Sequence, residues 1–338
     1  MVGMMLVMAM AWLVGCGDGG SGSSTAPDRT DASRRRTQGA LAGMELYVNP
    51  DGHARQAASM LRVTGKKEQA QKIDERIGNR PSAIWLTTVP AEVYMQARAI
   101  TEEATGQGKM PVLVAYNLPE RDCGLYSSGG ATNIDTYLQW LGSFAAGIGD
   151  REAVVILEPD AIAHSLEGCS GSKPTEERYR LLAEAVKILK RQPAVRVYLD
   201  AGNASWIEDL NALAGALRAS GIDMADGFSL NVANFETTER STQYGKELSR
   251  RLDGRHFVLD TSRNGAGPPT GSSDPRSHRN WCNPTEARLG APPTTDTGNS
   301  VVDAHLWIKQ PGDSDGPCPE GAPAAGQWWL GYAKKLLD

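Results

Sequence analysis

The chain lacks any CxxC pair, and its five histidines are not at ligand spacing, so a structural zinc site has nothing to build on. No nucleophile elbow and no glycine-rich dinucleotide turn joins a strand to a helix. TGQGK (105–109) precedes a strand instead of following one, which removes the helix that a phosphate cradle would open. An excess of positive charge is missing as well. With 35 basic and 40 acidic residues, the chain has no basic face for phosphate, which argues against nucleic acid as a partner. No internal repeat occurs at solenoid spacing. Neither a metal nor a cofactor is expected.

One apolar run stands at the N-terminus, MVGMMLVMAMAWLVGCG, too short to span a bilayer comfortably. It reads as the core of an export signal, and Leu13-Val14-Gly15-Cys16 resembles a bacterial lipobox, in which the cysteine is lipidated and becomes the mature N-terminus. The following GDGGSGSSTAPDRTDASRRRTQGA has a linker's composition. The expected organisation is a signal over 1–16, a flexible linker over 17–41 and a single folded domain over 42–338. The protein is expected to be exported, either as a surface lipoprotein anchored through Cys16 or as a secreted monomer. Without Cys16, four cysteines remain, an even set that suits an oxidising compartment. Sequence order favours Cys123–Cys169 and Cys282–Cys318, each stapling neighbouring loops.

From about residue 41, short β-rich runs alternate with helical patterns. The runs are 43–49, 82–88, 111–116, 153–158, 195–200, 226–231, 255–260 and 303–309. Near-continuous apolar strands alternating with helices mean a parallel sheet, and eight such units point to an α/β fold of the (β/α)-barrel kind. Each run ends in a polar group: Asn49, Thr87, Tyr116, Glu158, Asp200, Asn231, Asp260 and Lys309. In barrels the active site lies at that rim. In VVILEPDAIAH (154–164) a buried strand runs into two carboxylates flanking a proline, which is costly unless they are paired, hydrogen-bonded or protonated. Acidic groups together with tryptophans suit glycoside hydrolysis.

VAYNLPERDCGLYSSGG (114–130) and VVILEPDAIA (154–163) closely resemble the two signatures of glycoside hydrolase family 6, the cellulases once called family B. VYLDAGNASW, DTSRNGAGP, NWCNP and LWIKQPGDSDG extend the likeness in the family's order. The resemblance implies a distorted parallel barrel that cleaves β-1,4-glucan with inversion and without metal or cofactor. It implies Asp160 as general acid, Asp122 as the carboxylate that keeps the acid protonated and helps place the water, and Asp315 as base. Ser128 would hold the water, Tyr116 would lie beneath the distorted sugar, and Asp200 would be a further rim carboxylate. Trp85, Trp206 and Trp281 match sugar-stacking positions; Asn231, Lys309, Asp313 and Thr87 match hydroxyl-binding ones. Two departures stand out: Asn203 where the family often has histidine, and Asp209 where some cellobiohydrolases carry another stacking tryptophan.

Trp206 to Asn231 and Asn231 to Asp260 leave chain for one helix and short turns each, so an open cleft and endo cleavage are expected. The alternatives are a cellobiohydrolase of the same family and a lipid-anchored oligosaccharide-binding protein without catalysis.

Overall fold

The computed structural model describes residues 39–169, 174–270 and 278–338. The signal, Cys16 and most of the linker lie outside the described residues. Among the described residues no helix is long and apolar enough to cross a membrane.

Seven parallel strands pair in chain order: β1 Ile84–Leu86, β2 Val112–Ala115, β3 Ala153–Leu157, β4 Val195–Asp200, β5 Gly227–Leu230, β6 His256–Asp260 and β7 Val302–Leu306. Successive side chains on a strand point to opposite faces. Leu113, Val155, Leu157, Val197, Leu199 and Phe228 therefore pack under the helices, against residues such as Trp140, Phe144 and Leu182. Val112, Val114, Val154, Ile156, Tyr198 and Val258 fill the other face. Burial on both faces is why the strands read as unbroken apolar runs. The sheet curls into an incomplete barrel whose edges meet through three bonds: Ala83 N donates to Trp307 O (2.8 Å), Trp85 Nε1 to Ile308 O (2.8 Å) and Gln310 Nε2 to Ala83 O (3.0 Å).

One expectation is corrected here. The run 43–49 is not an eighth strand; it makes a single parallel bridge, Leu46 with Met110. Turns squeeze it from both sides. Met44 N bonds back to Leu41 O, and Asn49 accepts from the amides of Asp51 and Gly52, starting a turn through Pro50. Just ahead of this run, Leu41 is fully buried and Ala40 N donates to Asp303.

The crossover helices include α1 Pro90–Gly106, α2 Ile134–Ile148, α3 Ala161–Leu166, α4 Thr175–Leu189, α5 Leu210–Ala219 and α6 Thr238–Arg251. Asp209 caps α5, accepting from Asn211 N (2.9 Å) and Ala212 N (3.0 Å). That departure from the resemblance thus has a structural use.

Candidate active site

The buried carboxylates at the strand ends fall into two groups: those that hold loops and those left to react. Glu158, directly after β3, accepts the amides of Asn117 and Leu118 (3.0–3.1 Å) from the loop after β2. Burial pushes its carboxyl up to about 7, against the pull of those amides. Asp200, at the end of β4, accepts from Asp160 N (2.9 Å), Gly202 N (3.2 Å) and Ser229 Oγ (3.2 Å). Asp260, at the end of β6, accepts from Ala233 N (2.9 Å) and Lys309 N (2.9 Å). Each carboxylate therefore grips the loop of a neighbouring strand.

Asp160 is positioned by this framework. Its backbone is left-handed (φ 68°), as is that of Glu158 (φ 48°), so the chain reverses sharply around Pro159 before α3 begins. Its amide is fixed on Asp200, while no donor among the described residues is hydrogen-bonded to its carboxyl. Burial raises the carboxyl pKa of Asp160, and the nearby Asp122 raises it further against the pull of His164 and Lys309. Burial also raises Asp200, followed by the charge of Asp160, but three donors favour its ionised form. We place the proton of this pair on Asp160, which has no such donors.

Asp122 comes from the loop after β2, where Glu120, Asp122 and Cys123 all have positive φ (53°, 58° and 50°). Its Oδ2 accepts Ser127 N (2.6 Å), and the Cys123–Cys169 disulfide ties this loop to the end of the segment after α3. One oxygen each of Asp122 and Asp160 and one ring nitrogen of His164 lie within 4.8 Å of one another. The His164 Nε2 to Asp122 Oδ1 distance is 3.7 Å. Ser127 N and His164 thus both approach Asp122.

Asp315 has opposite electrostatics. Burial alone would raise its pKa, yet Arg263 (2.7 Å) and Lys309 (3.0 Å) outweigh this and hold it below the usual carboxylate value. Asn283 N also donates to it (2.9 Å). Arg263 is fully buried, donates to Ala233 O (2.6 Å) and lies over the Phe235 ring at 4.6 Å. The Cys282–Cys318 disulfide flanks this group, and Asn283 Nδ2 donates to Gly316 O (2.9 Å) and Cys318 O (2.8 Å). Both disulfides therefore pair as sequence order favours. Asp160 is thus disposed to hold a proton and Asp315 to accept one.

The expected sugar-contacting residues divide in the same way. Trp85 meets Tyr116 edge-on at 5.3 Å, and Arg121 lies over the Tyr116 ring at 4.7 Å. Trp206 is half-buried beside His164 (ring centres 4.9 Å apart), and Trp281 lies against Tyr126 at 5.9 Å. Thr87 and Ser128 are exposed. The others have protein partners. Asn231 donates to the carbonyls of Glu236 and Asp260 (3.2 and 2.9 Å), Asn203 Oδ1 accepts Ser205 N (3.0 Å), and both carboxylate oxygens of Asp313 are 3.0 Å from His53 Nδ1. Tyr126 reaches across from the Asp122 loop towards the Asp315 loop. A Cβ at Gly316 would sit 2.5 Å from its ring.

Sequence reasoning missed His164, Arg263, Asn283 and His53. Only His164 left a clear signal, four residues after Asp160 and so on the same helical face.

A family model described as glycosyl hydrolases family 6 matches residues 41–338. Endoglucanase 1 of Streptomyces halstedii is 39% identical over 300 residues, covering 86% of this chain and 88% of its own. Endoglucanase A of Cellulomonas fimi is 42% identical over 293 residues, covering 86% of this chain and 60% of its own. Among solved structures, the endoglucanase Cel6 from Mycobacterium tuberculosis, in complex with a methyl-cellobiosyl-4-thio-β-cellobioside, superposes with a TM-score of 0.80. It is 41% identical, and the match covers 88% of this chain and 97% of the other.

Proposed function

The chain belongs to glycosyl hydrolases family 6, and on that premise we propose that it cleaves internal β-1,4-glucosidic bonds of cellulose or a related β-glucan with inversion. It is a glycoside hydrolase of the cellulase kind. The observation that carries the reading is the contrast between Asp160, half-buried and pushed towards its protonated form, and Asp315, held ionised by Arg263 and Lys309. Asp160 passes its proton to the departing glucosidic oxygen as the bond to the anomeric carbon breaks. Water adds to that carbon from the opposite face, and its proton leaves towards Asp315. Asp122 keeps Asp160 protonated between turnovers, because two carboxylates this close do not both ionise readily. Ser128 borders the water's path. Trp85, Trp206 and Trp281 offer indole faces to pyranose rings, Tyr116 lies beneath the reacting sugar, and Thr87, Asn203, Asn231, Lys309 and Asp313 border the hydroxyls.

Endo action is supported by the short connections around α5 and α6, one helix each, which leave little chain to roof the groove. An exported protein is supported by the two disulfides, which suit an oxidising compartment. Lipidation at Cys16 and a monomeric state complete the proposal. Reducing-end release and viscosity loss on carboxymethylcellulose, with product analysis on cellohexaose, test the activity. Rapid viscosity loss with mixed products is expected. Cellobiose released from chain ends would mean a cellobiohydrolase, and binding without release would mean a carbohydrate-binding protein.

A further inference from the structure

His164 has no role in the reaction as described so far, yet a closed circuit of bonds fixes it at the reaction centre. Its amide donates to Asp160 O (2.9 Å), closing the first turn of α3 and bringing the two side chains to one face. Its carbonyl accepts Cys169 N (2.9 Å), Cys169 is bonded to Cys123, and Cys123 is the neighbour of Asp122. The circuit returns to His164 through the 3.7 Å approach of its Nε2 to Asp122. The ring is almost covered, and Trp206 supports it edge-on at 4.9 Å. Five residues from three segments thus converge to aim one imidazole at the two carboxylates of the acid pair.

We propose that His164 is a positioning residue of the hydrolysis: its imidazole steadies Asp122 and, when protonated, supplies a positive charge that both Asp122 and Asp160 feel. The groups that face it agree with this. Asp122 comes from the loop after β2, Asp160 and Glu167 from its own segment, and the residue packed on it from the loop after β4 is the uncharged Trp206. Burial acts to lower the imidazole pKa, but the close approach of Asp122 and the charges of Asp160 and Glu167 outweigh it and raise it overall. Asp160 in turn faces Lys309 and Asp200, which lie outside the circuit and remain when His164 is changed.

The imidazolium favours the ionised form of each carboxylate. His164→Gln keeps an amide donor beside Asp122 but removes the charge, so Asp160 should hold its proton to higher pH. The alkaline limb of the pH profile of kcat/KM, set by Asp160, should then move upward, by roughly one unit. An Asp122→Asn change should move the alkaline limb the other way. Coupling is reciprocal, so Asp122→Asn should also lower the pH at which the His164 ring titrates. NMR can follow that ring among the five histidines, assigned by its loss in His164→Gln. A His164→Gln profile that only loses height, with its alkaline limb in place, would make the residue structural and overturn the proposal. So would a His164 titration that ignores Asp122→Asn, a result obtainable even if His164→Gln folds poorly. The inference rests on Asp160 and Asp122 as the acid pair. Were that reading wrong, Asp160→Asn would retain hydrolysis, whereas failure of the His164 role alone leaves the Asp160 dependence intact.

Discussion

Left-handed backbone at Glu158, Asp160 and Asp122 costs energy of order 1–3 kcal/mol per residue, and such conformations persist where the surroundings over-determine them. Here the determinants are visible: Glu158 holds two amides, Asp200 holds the amide of Asp160, and Asp122 is fixed by Ser127 N. The segment around Pro159 therefore divides its two carboxylates: Glu158 holds a neighbouring loop, and Asp160 is the one proposed to react. Sequence reasoning could see that VVILEPD demanded an explanation. It could not see that the two carboxylates point to different partners, because that depends on φ values near Pro159. Asp160→Asn should lower the rate on cellulose about 10²–10⁴-fold, the usual worth of a general acid. On an aryl cellobioside whose leaving group needs no proton, the loss should be far smaller. Equal losses on both substrates would reduce Asp160 to a strand cap. Asp122→Asn removes a negative charge that raises the pKa of Asp160. Asp160 then loses its proton at lower pH, and the alkaline limb of the kcat/KM profile should move down. A limb that stays in place would remove Asp122 from the acid pair.

At the scale of elements, the alternation of apolar runs identified β1 to β7, because strands buried on both faces leave an unmistakable pattern. The run 43–49 has similar composition but is confined by turns at both ends, and turn chemistry won over strand propensity. The polar residues at strand ends were legible as a rim, but their partners were not. Bonds such as Lys309 N to Asp260 span 49 residues, and nothing local encodes them. The disulfides test how far loops set the site. Each closes a loop of a few dozen residues (separations 46 and 36) and should contribute about 2–4 kcal/mol. Their effects on turnover should differ. Asp315 keeps Arg263, Lys309 and Asn283 without its neighbouring disulfide, whereas Asp122 keeps only Ser127 N and His164. Replacing Cys123 and Cys169 by alanine should thus depress kcat more than replacing Cys282 and Cys318. The reverse order in matched kinetic assays would put the burden on the Asp315 side.

Across the whole molecule, the barrel brings together two loop systems far apart in sequence, one around Asp122 and Asp160 and one around Asp315, with Tyr126 reaching between them. The separation of carboxylates decides stereochemistry: about 5–5.5 Å suits a nucleophile and retention, about 6.5–9.5 Å leaves room for a water and inversion. Asp122 and Asp160, with oxygens within 4.8 Å of each other, would by distance alone suit a retaining enzyme. The assignment given to them is different, because Asp122 is occupied by Ser127 N and His164 and serves the protonation of Asp160. The stereochemistry of the first product separates the two directly. NMR of cellohexaose hydrolysis, read before mutarotation, should show the new reducing end first as the α-anomer. The β-anomer appearing first would make Asp122 a nucleophile and contradict the account.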